Sequence, residues 1–500
     1  MSFSEIQKKL FPITQQEMKK VVPMTLLLFL LCVSSCILRN LKDAVLLIGN
    51  GSGAEVIPFI KVWGMLPAAT LMAWLFSRLS HRFNRETAFY IIISSFLTYY
   101  LLFAFLIYPN REALHLTQLG SFLSGVLPAG FGGFISMVVN WTESIFFIAA
   151  ELWPTVIITV LFWGFTNEMN SPSEAGRFYG VLKLGSTASA FFSGYLANAL
   201  IQNNINMSLP FGSTAWEQTI TVQLLCVFVL SLLSIWIFWR LSSVTQTKKS
   251  PLKKKKERLS LRKSLKYVIQ SPYLTCISVL VVGYVVVFNL SDVLWKDQVR
   301  QAYPNPNDFV AYMNGITSKV GLISFIAAIF CPILIEKRGW SFLAYATPCV
   351  MLFTSTGFFF FFFAGESVAP FLDSFFGMSS LTLLLGFGAI QNCLSKAAKF
   401  SLFDISKEIS LAALDSDKKW SGKAAIDGIG SDLGKTGASL LYQGLLLFCG
   451  TVALSAPYVC FIVFAMLFTW IGSVRSLSKD ARISNSEEKT ANEEPSLSLA

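Results

Sequence analysis

The sequence predicts an all-α integral membrane protein with twelve transmembrane helices, arranged as two parallel six-helix repeats. Composition gives the class: 54% of the residues are hydrophobic and 14% are charged, whereas an average soluble domain has about 25% charged residues. Twelve apolar windows give the number of helices, and a short pattern that recurs 249 residues further along the chain gives the repeat.

Each predicted helix is an apolar window long enough to cross the hydrocarbon core of a membrane, which takes about 17–25 residues. Six windows fall in each half, and because six is even, the two halves share one orientation, as a parallel repeat requires. The tenth and eleventh windows are rich in Gly, Ser and Lys, which is typical of helices that line a pore. The windows are 21–38, 56–77, 88–107, 142–166, 178–200, 219–240, 272–292, 313–335, 341–363, 375–395, 432–452 and 455–473.

The evidence for the repeat is two pairs of similar short segments, and the members of each pair lie 249 residues apart. The pairs are Asn40–Ala44 with Asn289–Val293, and Leu184–Ala188 with Leu433–Gly437. Within them Lys42 corresponds to Ser291, and Lys435 corresponds to Ser186. An ammonium group that only one copy of a duplicated scaffold carries points to a ligand of opposite charge.

Basic residues are distributed unevenly between the loops. The stretch 248–266 carries ten Lys or Arg against the single acid Glu257, while 201–218 contains no Lys or Arg. By the positive-inside rule, the basic stretch and both termini are cytoplasmic, and this topology explains much of the net charge of +11. No aromatic platform accompanies the Lys253–Lys256 run, so we expect no nucleic-acid partner. The predicted organisation is a cytoplasmic segment 1–20, a six-helix half 21–240, a basic cytoplasmic linker 241–271, a six-helix half 272–475 and a disordered cytoplasmic tail 476–500.

Several charged residues lie in or beside apolar windows, where a charge near a helix centre costs about 2.5–3.5 kcal/mol. Glu151 lies ten residues into the fourth window, so we expect it to face an aqueous cavity or a cation. Lys61, near the start of the second window, has two interpretations: a ligand contact, or a side chain that reaches the membrane surface. Lys42 and Asp43 directly follow the first window, where a solvated loop pair is the alternative.

A set of cations that outnumbers its acidic partners predicts a polyanionic ligand, and a chain of phosphates fits. Lysine binds phosphate as a point charge, which suits a ligand that must later leave. Lys396 and Lys399, which close the tenth window, are open to interpretation as anchors at the cytoplasmic surface. The predicted cations are Lys42, Lys61, Arg177 and Lys435, and the predicted acids are Glu151, Asp43 and Asp292.

Three other functions lack the residues they need. Gly434-Lys435-Thr436 resembles the end of a phosphate-binding loop, but Ile429 stands where that loop needs Gly and no strand precedes it, so ATP hydrolysis is not expected. Pro172–Arg177 matches the signature of mitochondrial-type carriers, which need three copies, and this chain has one. The nine cysteines show no C-x-x-C spacing, so we expect no metal site and no cofactor. The chain has only two histidines, so we expect no histidine proton relay.

A series of motifs covers the chain from Phe11 to about residue 475. They are Glu17-x-Lys19-Lys20-x-x-Pro23, Leu38-Arg39-x-x-Lys42-Asp43, Gly51–Lys61, Ala150–Trp153, Leu161–Trp163, Glu174–Tyr179, Trp295-Lys296, Tyr303–Asp308, Ile390–Lys396, Ser401–Asp404 and Gly434–Gly437. In these motifs the sequence resembles the ATP/ADP translocases, nucleotide transporters of obligate intracellular bacteria and plastids.

The resemblance implies a twelve-helix secondary transporter with a major-facilitator-like architecture, located in the bacterial inner membrane, and we expect a monomer. It also implies that four charged residues are needed for transport, at positions that correspond to Lys42, Glu151, Asp292 and Lys435. At Asp292 the family usually has glutamate, so this chain departs from the family at one of the four positions.

Three hypotheses for function remain open from the sequence. The first is exchange of ATP for ADP, accompanied by phosphate because ATP and ADP differ by about one charge. The second is proton-coupled import of nucleoside triphosphates, with Asp292 or Glu151 as the proton site. The third is a membrane enzyme or nucleotide sensor, which the missing catalytic motifs disfavour. Of these, the sequence favours exchange.

Overall fold

The computed structural model describes residues 15–48, 53–245, 270–412, 426 and 431–479. Within these ranges the chain is almost entirely helical. Most of the predicted N-terminal segment 1–20, basic linker 241–271 and C-terminal tail 476–500 lies outside the described residues.

The part of the chain before the linker contains nine helices in the described ranges. Three of them, α4 to α6, fill the stretch between the third and fourth predicted windows, where the sequence had not predicted helices. The helices are α1 (Gln15–Leu47), α2 (Val56–Arg82), α3 (Glu86–Ile107), α4 (Arg111–Leu114), α5 (Thr117–Val126), α6 (Gly132–Val139), α7 (Trp141–Met169), α8 (Pro172–Ala199) and α9 (Ala215–Thr245).

The part after the linker begins with α10 (Pro272–Ala302). The stretch Pro306–Phe376 is helical except at Gly339, one residue after the start of α12, whose φ of 70° only glycine adopts easily. Prolines open α8, α10 and α11, at a position where the missing N–H leaves no hydrogen bond unmade. The remaining helices are α11 (Pro306–Phe330), α12 (Arg338–Phe371), α13 (Ser380–Ala398), α14 (Asp404–Ala412), α15 (Ser431–Cys449) and α16 (Val452–Ser478).

Every predicted window coincides with a helix. Among the described residues, nine helices are long and apolar enough to cross a membrane, namely α1, α2, α3, α7, α9, α10, α11, α12 and α16. The predicted all-α, multi-pass membrane fold is therefore confirmed. Helices α8, α13 and α15, which match the fifth, tenth and eleventh windows, are more polar, and the total of twelve spans stays a prediction.

The described chain forms two compact units. The first comprises the described parts of 1–128, 132–253 and 303–322, and the second those of 129–131, 254–302 and 323–500. In the first unit α1 packs against α7, α8 and α9, and in the second unit α10 packs against α13, α15 and α16. The first helix of each predicted half thus contacts the fourth, fifth and sixth of that half, which agrees with the predicted repeat.

Close backbone contacts explain why residues 303–322 belong to the first unit. A Cβ atom at Gly321 would lie 2.2 Å from the backbone nitrogen of Phe191, and one at Gly194 would lie 2.3 Å from the carbonyl oxygen of Asn314. Any side chain at these two positions would separate α8 from α11, so glycine permits the helices to touch.

Candidate functional site: a charge cluster in each unit

A buried lysine between two carboxylates lies where α1 meets α7. The Lys42 Nζ atom lies 2.8 Å from Asp43 Oδ1 and 3.2 Å from Glu151 Oε2. The same ammonium group lies 3.6 Å from the centroid of the Phe147 ring. Three partners therefore stabilise one cation, two of them by charge and one by the electron density of the ring face.

Local sequence explains how these groups come together. Helix α1 continues past its apolar window to Leu47, so Lys42 and Asp43 lie within a helix. Both residues are buried, 3% and 1% exposed, which excludes the alternative of a solvated loop pair. Because an isolated buried charge is costly, the helix tolerates this lysine only with its carboxylate partners in place.

Glu151 differs from its two partners in its exposure. Its side chain is 41% exposed, against 4% for the Lys42 side chain. Lys61 also attracts the Glu151 carboxylate, whereas Asp43 repels it. The cluster therefore has a buried cation and a more accessible acid. An anion that arrives from solvent can compete with Glu151 for the ammonium group more easily than with Asp43.

π-Helical segments occur at Lys61 and directly after Glu151. Lys61 lies in a π-helical turn, Ile60–Gly64, within α2. A longer π-helical segment, Pro154–Phe162, follows Glu151 in α7. Pro154 has no N–H to donate, which removes one regular helical hydrogen bond at the start of that segment. Such wide turns often occur at functional sites, since they alter which side chains a helix presents.

The second unit holds its own buried carboxylate, Asp292, at the matching place in α10. Its Oδ2 atom lies 2.8 Å from Lys296 Nζ, one helical turn further along. Its Oδ1 atom accepts a hydrogen bond of 3.0 Å from the amide of Asn392 in α13. Asp292 is only 8% exposed, so a cation on its own helix and an amide from the facing helix hold it in one orientation.

Lys435 and Arg177 are placed differently from the other predicted site residues. Lys435 is exposed in the first turns of α15. Arg177, in α8, binds both carboxylate oxygens of Glu17, at 2.6 and 3.2 Å. Glu17 and Lys42 lie 25 positions apart on one continuous helix, about 37 Å along its axis. The structure therefore does not bring Arg177 to the Lys42 cluster.

The Arg177 contact belongs to a network that ties the start of α1 to the start of α8. Lys20 Nζ lies 3.5 Å from Glu174 Oε2 and donates to the carbonyl oxygen of Met169 at 2.8 Å. The backbone N–H of Ser171 donates to the Glu174 carboxylate at 2.8 Å, and this hydrogen bond lowers the pKa of Glu174 below its ordinary value. Because these contacts join the start of α1 to the start of α8, we interpret the role of Arg177 as structural.

Sequence reasoning did not select Lys296, Asn392, Phe147 and Arg39 as site residues. Arg39 interacts electrostatically with Glu151 and Asp43. For Lys296, the four-residue spacing from Asp292 was a usable signal, because side chains at that spacing meet on a helix. Nothing in the sequence paired Asn392 with Asp292 across 100 positions. Among the described residues, no cluster of His, Cys, Asp and Glu could hold a metal ion.

Comparison with known sequences finds relatives that match nearly the whole chain. The family model described as TLC ATP/ADP transporter matches residues 1–481. The ADP,ATP carrier protein 2 of Chlamydia pneumoniae is 35% identical, over 96% of this chain and 92% of that protein. The ADP,ATP carrier protein 1 of Chlamydia trachomatis is 36% identical, over 95% and 91%. The chloroplastic ADP,ATP carrier protein 2 of Arabidopsis thaliana is 33% identical, over 98% and 79%.

Solved structures with a similar fold are membrane transporters of low sequence identity. A bacterial homologue of the iron transporter ferroportin, in an inward-facing state, aligns with a TM-score of 0.55 at 13% identity, over 96% of this chain and 100% of that one. The nucleoside transporter NupG aligns with a TM-score of 0.51 at 12% identity, over 92% and 99%. These likenesses support the major-facilitator-like fold.

Proposed function

The chain belongs to the TLC ATP/ADP transporter family, and from that premise we propose that it exchanges ATP for ADP across a membrane by alternating access. The observation that carries the proposal is the buried Lys42 ammonium group held between Asp43 and the more exposed Glu151. A lysine in this setting is a binding group for a mobile polyanion.

The cluster offers a physical reason for exchange. A nucleotide phosphate that binds Lys42 takes the place of Glu151 and leaves Asp43 beside the cation. When the nucleotide departs, Glu151 returns to the ammonium group, because the buried cation attracts the nearby carboxylate. After each nucleotide that it transports, the protein thus returns to a resting state in which Lys42 is paired with Glu151. We propose that the pair of Lys42 and Glu151 locks the empty carrier, so that a second nucleotide must separate the pair again before the return step, and this requirement is the basis of one-for-one exchange.

The contacts of the two candidate proton sites favour exchange over the alternative, proton-coupled import. Glu151 Oε2 lies 3.2 Å and Asp292 Oδ2 lies 2.8 Å from a lysine ammonium group. A lysine therefore neutralises each acid. Neither carboxylate needs to bind a proton to offset the cost of its charge within the membrane. We also propose that phosphate accompanies ADP, which balances the charge of ATP.

We further propose that the protein is a monomer in the bacterial inner membrane with both termini in the cytoplasm. The basic stretch 248–266 and the absence of Lys and Arg from 201–218 support this orientation. The family's relatives in Chlamydia support a bacterial membrane.

Uptake of labelled ATP into intact bacterial cells that express the protein tests the proposal. Cells loaded with ADP are expected to take up ATP several-fold faster than cells depleted of nucleotide, and a proton uncoupler is expected to leave the rate unchanged. Cells without the gene provide the background. Uptake that ignores internal ADP and collapses with the uncoupler would select proton-coupled import instead.

A further inference from the structure

Arg39 is an exposed residue within α1, one of the helices that are long and apolar enough to cross a membrane. The helix continues from Arg39 to Leu47, about 12 Å further along its axis. The last four residues of the helix, Ala44–Leu47, are apolar and at most 1% exposed. Because apolar, buried helix lies beyond it, Arg39 does not have the position of a side chain that anchors a helix end at the membrane surface.

The neighbours of Arg39 on its own face of α1 are buried. Cys36, three residues before it, is 6% exposed, and Asp43, four residues after it, is 1% exposed. Side chains at these spacings share one face of a helix, so this face points into the protein and not toward lipid. The exposure of Arg39 therefore indicates an opening that solvent reaches. The Glu151 side chain, which attracts Arg39 and is itself 41% exposed, borders the same opening.

The charge of Arg39 is attracted by two carboxylates but is paired with neither. Asp43 and Glu151 attract the guanidinium group, yet both carboxylates contact Lys42 instead. Within the part of the chain that the structure describes, Arg39 forms no ion pair and its side chain makes no hydrogen bond. A guanidinium group keeps its charge at any physiological pH, so the charge of Arg39 is available to an anion that enters the opening.

The repeat distinguishes Arg39 in the same way as it distinguishes Lys42. At the offset of 249 residues, Arg39 corresponds to Phe288, just as Lys42 corresponds to Ser291. Both cations therefore belong to one copy of the scaffold only. They are three residues apart on α1, about 4.5 Å along its axis, which lets one chain of phosphates contact both.

We propose that Arg39 is a phosphate-binding residue, whose planar guanidinium group donates two hydrogen bonds to one phosphate of the nucleotide. This proposal rests on the nucleotide transport proposed above. The fork of an arginine matches the geometry of a phosphate and fixes the direction of the contact, whereas Lys42 acts as a point charge. The ligand class is a nucleoside di- or triphosphate, with neighbouring phosphates held by Arg39 and Lys42. A nucleoside monophosphate reaches only one of the two cations and binds more weakly.

The test is competition for labelled ATP uptake in the full-length protein, with ATP, ADP, AMP and adenosine as competitors. Arg39→Gln is expected to raise the KM for ATP roughly tenfold to a hundredfold and to flatten the preference for competitors with more phosphates. Arg39→Lys keeps the charge but loses the fork, so its KM should lie between those of the parent and Arg39→Gln. Arg475→Gln, which removes an exposed arginine near the end of α16, is the matched control with unchanged kinetics.

Thermal unfolding separates a phosphate contact from a structural role. Because Arg39 has no ion pair in the described part of the chain, Arg39→Gln should unfold at the temperature of the parent, unlike a variant that breaks the buried pair of Lys42 and Asp43. The amount of each variant in the membrane is measured by immunoblot.

A KM for ATP within about twofold of the parent, with an unchanged competitor ranking, in Arg39→Gln would overturn the proposal. If that variant fails to reach the membrane, Arg39→Met, which is apolar and inserts more easily, is judged by the same criterion. Failure of both variants to reach the membrane would show a structural role and would also overturn the proposal. If the parent transports nucleotide without exchange and Arg39→Gln still loses the phosphate preference, the phosphate contact stands and only the exchange proposal fails.

Discussion

Lys42→Gln is expected to abolish ATP/ADP exchange. The change removes the cation that Asp43 and Glu151 share and takes away a charged hydrogen bond to phosphate of about 1.5–3 kcal/mol, equivalent to roughly a tenfold to hundredfold loss of affinity. It also leaves Asp43, which is 1% exposed, without its ammonium partner. Breaking a buried pair in this way costs about 3–5 kcal/mol of stability.

A second variant separates lost binding from lost stability. Lys42→Gln combined with Asp43→Asn removes both charges of the buried pair, so the thermal unfolding temperature of the purified protein should recover while exchange stays absent. Lys19→Gln, an exposed lysine on the same helix, is the control and should keep both properties. Normal exchange by the single Lys42 variant would refute the role of this lysine.

Asp292→Asn is expected to have the second large effect. Lys296 donates to one oxygen of this carboxylate and the Asn392 amide donates to the other. An asparagine offers one oxygen and one NH2 group, so it cannot accept from both Lys296 and the Asn392 amide in their present orientations, and it no longer neutralises the Lys296 charge. We expect a loss of stability of about 3–5 kcal/mol and exchange near background, measured by thermal unfolding and by uptake of labelled ATP.

Asp292→Glu introduces the residue that the family resemblance implies at this position and moves the carboxylate by roughly 1.5 Å. If the acid only balances Lys296, this variant should keep uptake and the ranking of ATP, GTP, CTP, UTP and ADP as competitors. A changed ranking would mean that Asp292 sets selectivity. Asp308→Asn, an exposed acid at the start of α11, is the control. An Asp292→Asn variant that exchanges at the parent rate would contradict the role as charge partner.

The helices were predictable from the sequence because a membrane span is a property of one continuous apolar segment. The residues at which the helices begin and end were less predictable. Hydropathy ends the first window at residue 38, where the charges begin, but α1 continues to Leu47 because those charges are neutralised inside the fold. The π-helical segments, such as Pro154–Phe162, also escaped prediction, since they depend on packing and leave no periodic signal.

The site was predictable one residue at a time but not as pairs. An acid in the middle of an apolar window must have a partner, and this rule selected Glu151 before its contact with Lys42 was known. The identity of a partner depends on which helices pack together, and that is why the contact of Asn392 with Asp292 was missed. Arg177 had the right charge, but its partner is Glu17 at the other end of α1.

Counter-exchange in vesicles that contain only the purified protein is the most direct test of the central claim. The vesicles are loaded with ADP and phosphate carrying one label, given ATP with another label outside, and held without a pH gradient or membrane potential. We expect ATP to enter as ADP leaves in a one-to-one ratio, with negligible entry into vesicles that contain no nucleotide. ATP entry that proceeds equally without internal ADP, or that requires an imposed proton gradient, would contradict exchange.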